Sequence, residues 1–168
     1  QVPFYQAMAE SLNLPTVRLG MDVGVNQVVD TLRALGVTQP IQAFPSLFLG
    51  TVALSPLEVN QMYLTLASEG LYQPLTTVRA VLGDDNQILY QKDAKAERRL
   101  DARVSYLTLF TMTKVASQGT ARSLAARFPG SVLAGKTGTT DNLRDSWFSG
   151  LDNDELVSVW VGRDDNKP

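Results

Sequence analysis

The chain of 168 residues contains no cysteine and no histidine. That pair of absences removes Ser-His-Asp and Cys-His catalysis, histidine metal sites and disulfides together. Any proton transfer must then run through Lys, Asp, Glu, Tyr or hydroxyl relays. The lack of cysteine fits an oxidising compartment without requiring one. No run approaches the ~18 to 20 apolar residues that a membrane span needs, and no signal-like segment opens the chain. It starts at Gln1-Val2-Pro3 without an initiator Met and ends at Asp165-Asn166-Lys167-Pro168, so it reads as a soluble piece of something longer. Surplus positive charge is missing too: 15 Lys and Arg stand against 17 Asp and Glu, a net charge of −2. Without a basic stripe, nucleic acid is not an expected partner, and no metal or cofactor is expected either.

What remains is a chain with 44% hydrophobic and 19% charged residues, enough for one domain with a sizeable core. Tyr5, Met8 and Leu12 fall at helical spacing over residues 4–12, with Pro15 closing the segment. Val25, Val28, Val29, Leu32 and Leu35 predict an amphipathic helix over 23–35, ended by Gly36. Residues 41–54 read as an ordered, partly buried connection. Ser55, Pro56 and Glu58 form a capping box that starts a helix running to Gly70, with Val59, Met62, Tyr63 and Leu66 as its buried stripe. Residues 75–91 alternate about Gly83-Asp84-Asp85-Asn86 and predict a hairpin. The charged stretch 92–99 should be solvated. A helix is expected over 101–117, with Tyr106, Leu107, Phe110, Met112 and Val115 inward, followed past Gly119-Thr120-Ala121 by a short helix stopped at Pro129-Gly130.

The last part changes character. Three strands are expected at 132–139, 145–151 and 156–162, joined by Thr140-Asp141-Asn142 and Asp152-Asn153-Asp154, an antiparallel meander. Helices over 1–130 and strands over 131–163 make this an α+β fold, an antiparallel sheet flanked by helices in a sandwich. The first strand carries Gly135-Lys136-Thr137-Gly138-Thr139-Thr140. As an edge strand it would offer a cleft one fixed cation, threonine hydroxyl donors and free N–H groups, with Gly138 letting another backbone lie close. Those groups suit an anionic peptide end. The same letters, Gly130 to Thr137, match the phosphate-loop pattern G-x-x-x-x-G-K-[ST]. A phosphate loop needs a buried strand before it and a helix after it. Here a short helix precedes, and Gly, Thr, Thr, Asp and Asn follow, so nucleotide binding is only a remote alternative.

Ser11-Leu12-Asn13 is the second candidate motif. Serine chemistry without histidine needs a lysine base, a relaying hydroxyl and an amide that holds lysine and substrate; Ser11 and Asn13 can supply the last two. With Lys136-Thr137-Gly138, these residues resemble the transpeptidase domain of penicillin-binding proteins, in the serine D,D-peptidase and β-lactamase superfamily. The likeness extends through Leu14 to Val17, Leu54 to Val59, Gly119-Thr120-Ala121-Arg122, Ala134 to Thr140 and Trp160 to Asp164. It is strongest toward class A bifunctional enzymes of the 1b type in Gram-negative bacteria.

The resemblance implies a periplasmic domain that cross-links peptidoglycan stem peptides through an acyl-serine intermediate and is acylated by β-lactams. It implies a membrane anchor, a glycosyltransferase domain and assisting cell-wall synthesis proteins elsewhere. Carried over, Ser11 relays a proton, Asn13 binds the base lysine and a substrate amide, and Lys136 steers the substrate and keeps the local field positive. Thr137 and Thr139 hydroxyls hold the terminal carboxylate, and the Thr139 N–H forms half of an oxyanion hole. A β-lactamase, a D,D-carboxypeptidase or a silent β-lactam sensor would share both motifs.

The chain departs from the pattern in one respect. The family's nucleophile sits in Ser-x-x-Lys, and no serine here is followed three residues later by lysine; Thr111-Met112-Thr113-Lys114 only imitates it. The nucleophile and the first strands of the sheet are expected upstream of Gln1, making this the C-terminal portion of one transpeptidase domain. The 168-residue chain alone should therefore resist covalent labelling by a fluorescent penicillin; a stoichiometric adduct in its mass spectrum would overturn that expectation.

Overall fold

The computed structural model describes residues 2–93, 95–140, 142, 144–165 and 167. In chain order it runs α1 (Phe4–Ala9), α2 (Asn13–Val23), α3 (Val25–Leu35), a 3-10 turn (Pro45–Leu49) and α4 (Pro56–Ala67). Then come β1 (Leu71–Tyr72), β2 (Ala80–Leu82), β3 (Ile88–Gln91), β4 (Glu97–Arg98), α5 (Ala102–Gln118) and α6 (Ser123–Arg127). The chain closes with β5 (Ala134–Thr139), β6 (Asp145–Leu151) and β7 (Leu156–Gly162). These last three form one antiparallel sheet in the order β5-β6-β7, as the alternation predicts. Lys136 pairs with Ser149 and Ser149 with Ser158, a polar row through the sheet. Of the turn expected at Thr140-Asp141-Asn142, Asp141 lies outside the described residues.

Local signals account for several boundaries. Ser55 Oγ accepts from the Glu58 N–H at 3.3 Å while Glu58 Oε2 accepts from the Ser55 N–H at 2.9 Å, the reciprocal cap expected of that tetrad. Gly36 takes φ 112° and closes α3, where a β-carbon would also meet Gln61 and Tyr72 at 2.8 Å. The hairpin β2–β3 forms where residues 75–91 alternate, and all of its strand residues are exposed. It belongs to a separate two-stranded sheet from the one that carries Lys136.

Four expectations change. Pro15 does not end a helix: it lies in the first turn of α2, where the backbone N–H has no intrahelical partner to lose. Ser11 is thus not the tail of one helix but part of a tight joint between two, and Val23 closes α2 rather than opening α3. On α4 the fully buried side chains are Gln61 and Thr65, with Val59, Met62, Tyr63 and Leu66 only half-buried. Gln61 accepts from the Leu75 N–H at 2.8 Å, and Thr65 Oγ1 donates to the Leu35 carbonyl at 3.0 Å, so polarity is buried where it ties neighbours down.

The charged stretch is exposed as expected at residues 92, 93 and 95–98, and it is ordered near its end, where β4 pairs with β1 and the Arg99 guanidinium stacks 3.5 Å from the Tyr72 ring centre. Finally, Met112 and Val115 of α5 are buried at 3% and 0% exposure, whereas Tyr106, Leu107 and Phe110 are exposed at 65%, 60% and 46%. The helix turns its small residues Ser105 and Ala116 inward with Met112 and Val115, which lets it lie close on β5 and α1. Its large aromatic stripe points the other way.

The joint that positions the site is the end of α5. A β-carbon on Gly119 would fall 2.1 Å from the Ala9 carbonyl oxygen, and the next residue, Thr120, donates its backbone N–H to that same oxygen at 3.0 Å. Only glycine permits this approach. Gly119→Ala should cost about 2 kcal/mol or more by forcing α1 and α5 apart, read as a lowered urea midpoint of the folded protein; an unchanged midpoint would refute the packing argument.

Candidate active site

Among the described residues β5 pairs with β6 alone, which leaves its other edge free. The Thr140 N–H donates to the Asp145 carbonyl at 3.1 Å, which makes that a hydrogen-bonded pair. Such pairs alternate along an antiparallel ladder. Counting back through the register, Thr139 opposite Ser146 and Thr137 opposite Phe148 occupy non-hydrogen-bonded pairs, and their N–H and C=O groups point over the free edge. The strand therefore turns the N–H groups of Gly135, Thr137 and Thr139 toward that edge.

Lys136 occupies this edge. Its ammonium donates to the Thr137 carbonyl at 2.8 Å and to Ser11 Oγ at 2.7 Å, across 125 residues of sequence. Burial alone pulls its pKa below the ordinary lysine value. Among the described residues no carboxylate forms an ion pair with it. A desolvated cation satisfied only by neutral oxygens keeps its field available to an incoming anion.

Ser11 is held at φ 56°, a left-handed conformation that a residue with a β-carbon adopts at a cost of about 1–2 kcal/mol. The joint between α1 and α2 enforces it: the Ser11 N–H reaches back to the Met8 carbonyl at 3.2 Å and the Leu12 N–H to that of Ala7 at 2.8 Å. The strain thus falls at a polar residue whose hydroxyl meets the half-buried lysine. Asn13 opens α2, two residues on, with an exposed side chain. No hydrogen bond from that side chain is formed among the described residues. Gly138 lies opposite Trp147, and a β-carbon there would press on the Trp147 side chain at 3.2 Å; it makes room for that ring within the sheet.

Thr137 and Thr139 share one strand face. Thr137 Oγ1 lies 2.7 Å from Thr120 Oγ1, on the turn after α5. Beyond Thr139 the hairpin is clamped by Asp145, whose two carboxylate oxygens accept from Trp160 Nε1 at 2.9 Å and Thr140 Oγ1 at 3.0 Å. Neither Thr120 nor Asp145 is singled out by sequence reasoning as a site residue. Thr120 stands in a stretch shared with the family, but only the folded contact reveals its reach.

A strained hydroxyl, a half-buried cation and a strand edge rich in donors thus come together where the α1–α2 joint meets β5, an arrangement suited to receiving an anion. Residues 1–166 match the penicillin binding protein transpeptidase domain, and the chain belongs to that family. Within it, the chain is 45% identical over its whole length to penicillin-binding protein 1B of Vibrio cholerae and 44% identical to penicillin-binding protein 1B of Escherichia coli. It spans only 22% and 20% of those relatives. Its fold overlays penicillin-binding protein 1A of Haemophilus influenzae with TM-score 0.92 at 18% identity, covering 99% of this chain and 31% of that one. It also overlays a penicillin V complex of PonA1 from Mycobacterium tuberculosis with TM-score 0.82 at 23% identity, covering 98% and 48%.

The depressed Lys136 pKa has a definite sign. The folded value lies below the unfolded value of about 10.4, so the ammonium opposes folding below its folded pKa, and stability rises with pH between the two. Ser11→Ala removes an acceptor from the charged form, so the Lys136 pKa should fall further, as followed by NMR titration of the lysine ε-carbon. Ser11→Gly should produce the same fall while relieving backbone strain of about 1 kcal/mol. An unshifted Lys136 titration in both variants would contradict the contact.

Proposed function

We propose that this chain is the Ser-x-Asn and Lys-Thr-Gly side of a peptidoglycan D,D-transpeptidase, which cross-links stem peptides through an acyl-serine intermediate. In this reading residues 1–168 are the C-terminal portion of one transpeptidase domain, with helices over 1–130 and the strand meander over 131–163. The nucleophilic serine is supplied by a Ser-x-x-Lys element outside the chain. The parent is a class A enzyme with a glycosyltransferase domain and a membrane anchor, working at the periplasmic face with other cell-wall synthesis proteins.

The observation that carries the reading is the 2.7 Å hydrogen bond from Lys136 Nζ to Ser11 Oγ. It brings the two motifs into one cleft and couples a proton-relaying hydroxyl to a cation. Ser11 passes a proton through the acylation step, and Asn13 holds the base lysine of the absent element and a substrate amide. Lys136 draws in the peptide carboxylate, or that of a β-lactam, and Thr137 and Thr139 donate to it. The Thr139 N–H, pointing over the free edge, supplies half of the oxyanion hole; a donor so placed stabilises the transition state by about 3 kcal/mol. β-Lactams enter as acylating mimics of the stem peptide, in line with relatives solved as imipenem and ceftriaxone acyl-enzyme complexes.

The test is Lys136→Ala in the full-length protein. Acylation by a fluorescent penicillin should fall by about a hundredfold or more, because the lost charge acts on carboxylate binding and the transition state, while the circular dichroism spectrum stays that of the wild type. Unchanged acylation kinetics would refute the role. Rapid nitrocefin hydrolysis by the wild-type parent would instead assign the site to a β-lactamase.

A further inference from the structure

Thr120 is used by neither motif, yet it touches both walls of the cleft. Its backbone N–H donates to the Ala9 carbonyl at 3.0 Å, just before Ser11, and its hydroxyl lies 2.7 Å from that of Thr137. Gly119 makes this possible, since any β-carbon there would collide with Ala9. The turn is therefore pinned to the α1–α2 joint and reaches β5 with a single atom.

Each hydroxyl has one proton and accepting lone pairs, so either threonine can donate to the other. A carboxylate only accepts. A Thr137 hydroxyl that binds a carboxylate must aim its proton at it and can then only accept from Thr120. Resting on the reading above, we propose that Thr120 is a positioning residue for the carboxylate: it donates to Thr137 and thereby turns the Thr137 proton outward, beside the Thr139 hydroxyl on the same strand face. The relay Thr120 to Thr137 to carboxylate is a chain of aligned donors, in which each bond polarises the next. The Thr137 backbone oxygen is already taken by Lys136, at 2.8 Å. The hydroxyl pair therefore adjusts the donor while the strand itself stays fixed.

The experiment uses the full-length protein and two probes, benzylpenicillin and its methyl ester, in which one added methyl group removes the negative charge of the carboxylate. Thr120→Val keeps the shape and removes the hydroxyl, and Thr120→Ser restores it. Thr120→Val should slow acylation by benzylpenicillin about five- to tenfold, the weight of one hydrogen bond. The loss should sit in the dissociation constant of the initial complex. The same variant should leave the methyl ester rate unchanged, and Thr120→Ser should react within about twofold of the wild type. Equal slowing of both probes, no slowing, or failure of serine to rescue would overturn the proposal while the transpeptidase reading stands. Absence of any adduct in the wild-type protein would overturn both.

Discussion

A lysine ammonium drawn partly out of water, with no counter-charge among the described residues, is the constraint on which this structure turns. Burial disfavours the charged form of Lys136, and the fold answers with two neutral oxygens, one from its own strand and one from a serine far away in sequence. A carboxylate partner within the chain would have stabilised the cation further and cancelled its field. Hydroxyl and carbonyl acceptors satisfy the hydrogen-bonding needs of the group and leave its charge to act on a ligand. The cost in stability and the capacity to bind an anion have the same origin.

Holding that geometry requires three elements to meet within a few ångströms. The α1–α2 joint presents Ser11 in a left-handed conformation. The end of α5 lies against the Ala9 carbonyl because Gly119 has no side chain there. Among the described residues β5 is held by β6 along one edge only, leaving the other for the lysine and the outward amides of Thr137 and Thr139. Asp145 ties the β5–β6 turn region to Trp160 of β7, so the strand end carrying Thr139 is braced by the whole meander. Strain and close backbone approach both fall beside the Ser11–Lys136 contact, so packing fixes these groups in place.

The apolar surface follows a different logic. On β7, Val157, Val159 and Val161 share one face and are exposed, as are Tyr106, Leu107 and Phe110 on α5. Small residues make the tight internal contacts, with Ser105 and Ala116 of α5 and Ala7 and Ala9 of α1 buried. Large hydrophobic side chains at helical spacing are thus poor guides to which side of α5 faces the sheet. Closeness of approach selected the other side.

Short-range regularities were readable from the residues alone. The meander strands β6 and β7 fall where the alternation places them, and β5 starts two residues late. The Ser55–Glu58 cap forms as its spacing requires, and the lysine, threonines and serine capable of the chemistry could be named. These features depend on period, side-chain type and turn chemistry, which act over a few residues. Tertiary structure decided the rest. Pro15 could enter a helix because it falls in the first turn, Ser11 took a strained conformation between two helices, and Thr120 reached Thr137 from a turn with no periodicity of its own. Above all, the contact between Ser11 and Lys136 spans 125 residues. No local preference encodes it, because it follows only from how α1 packs on α5 and α5 on β5.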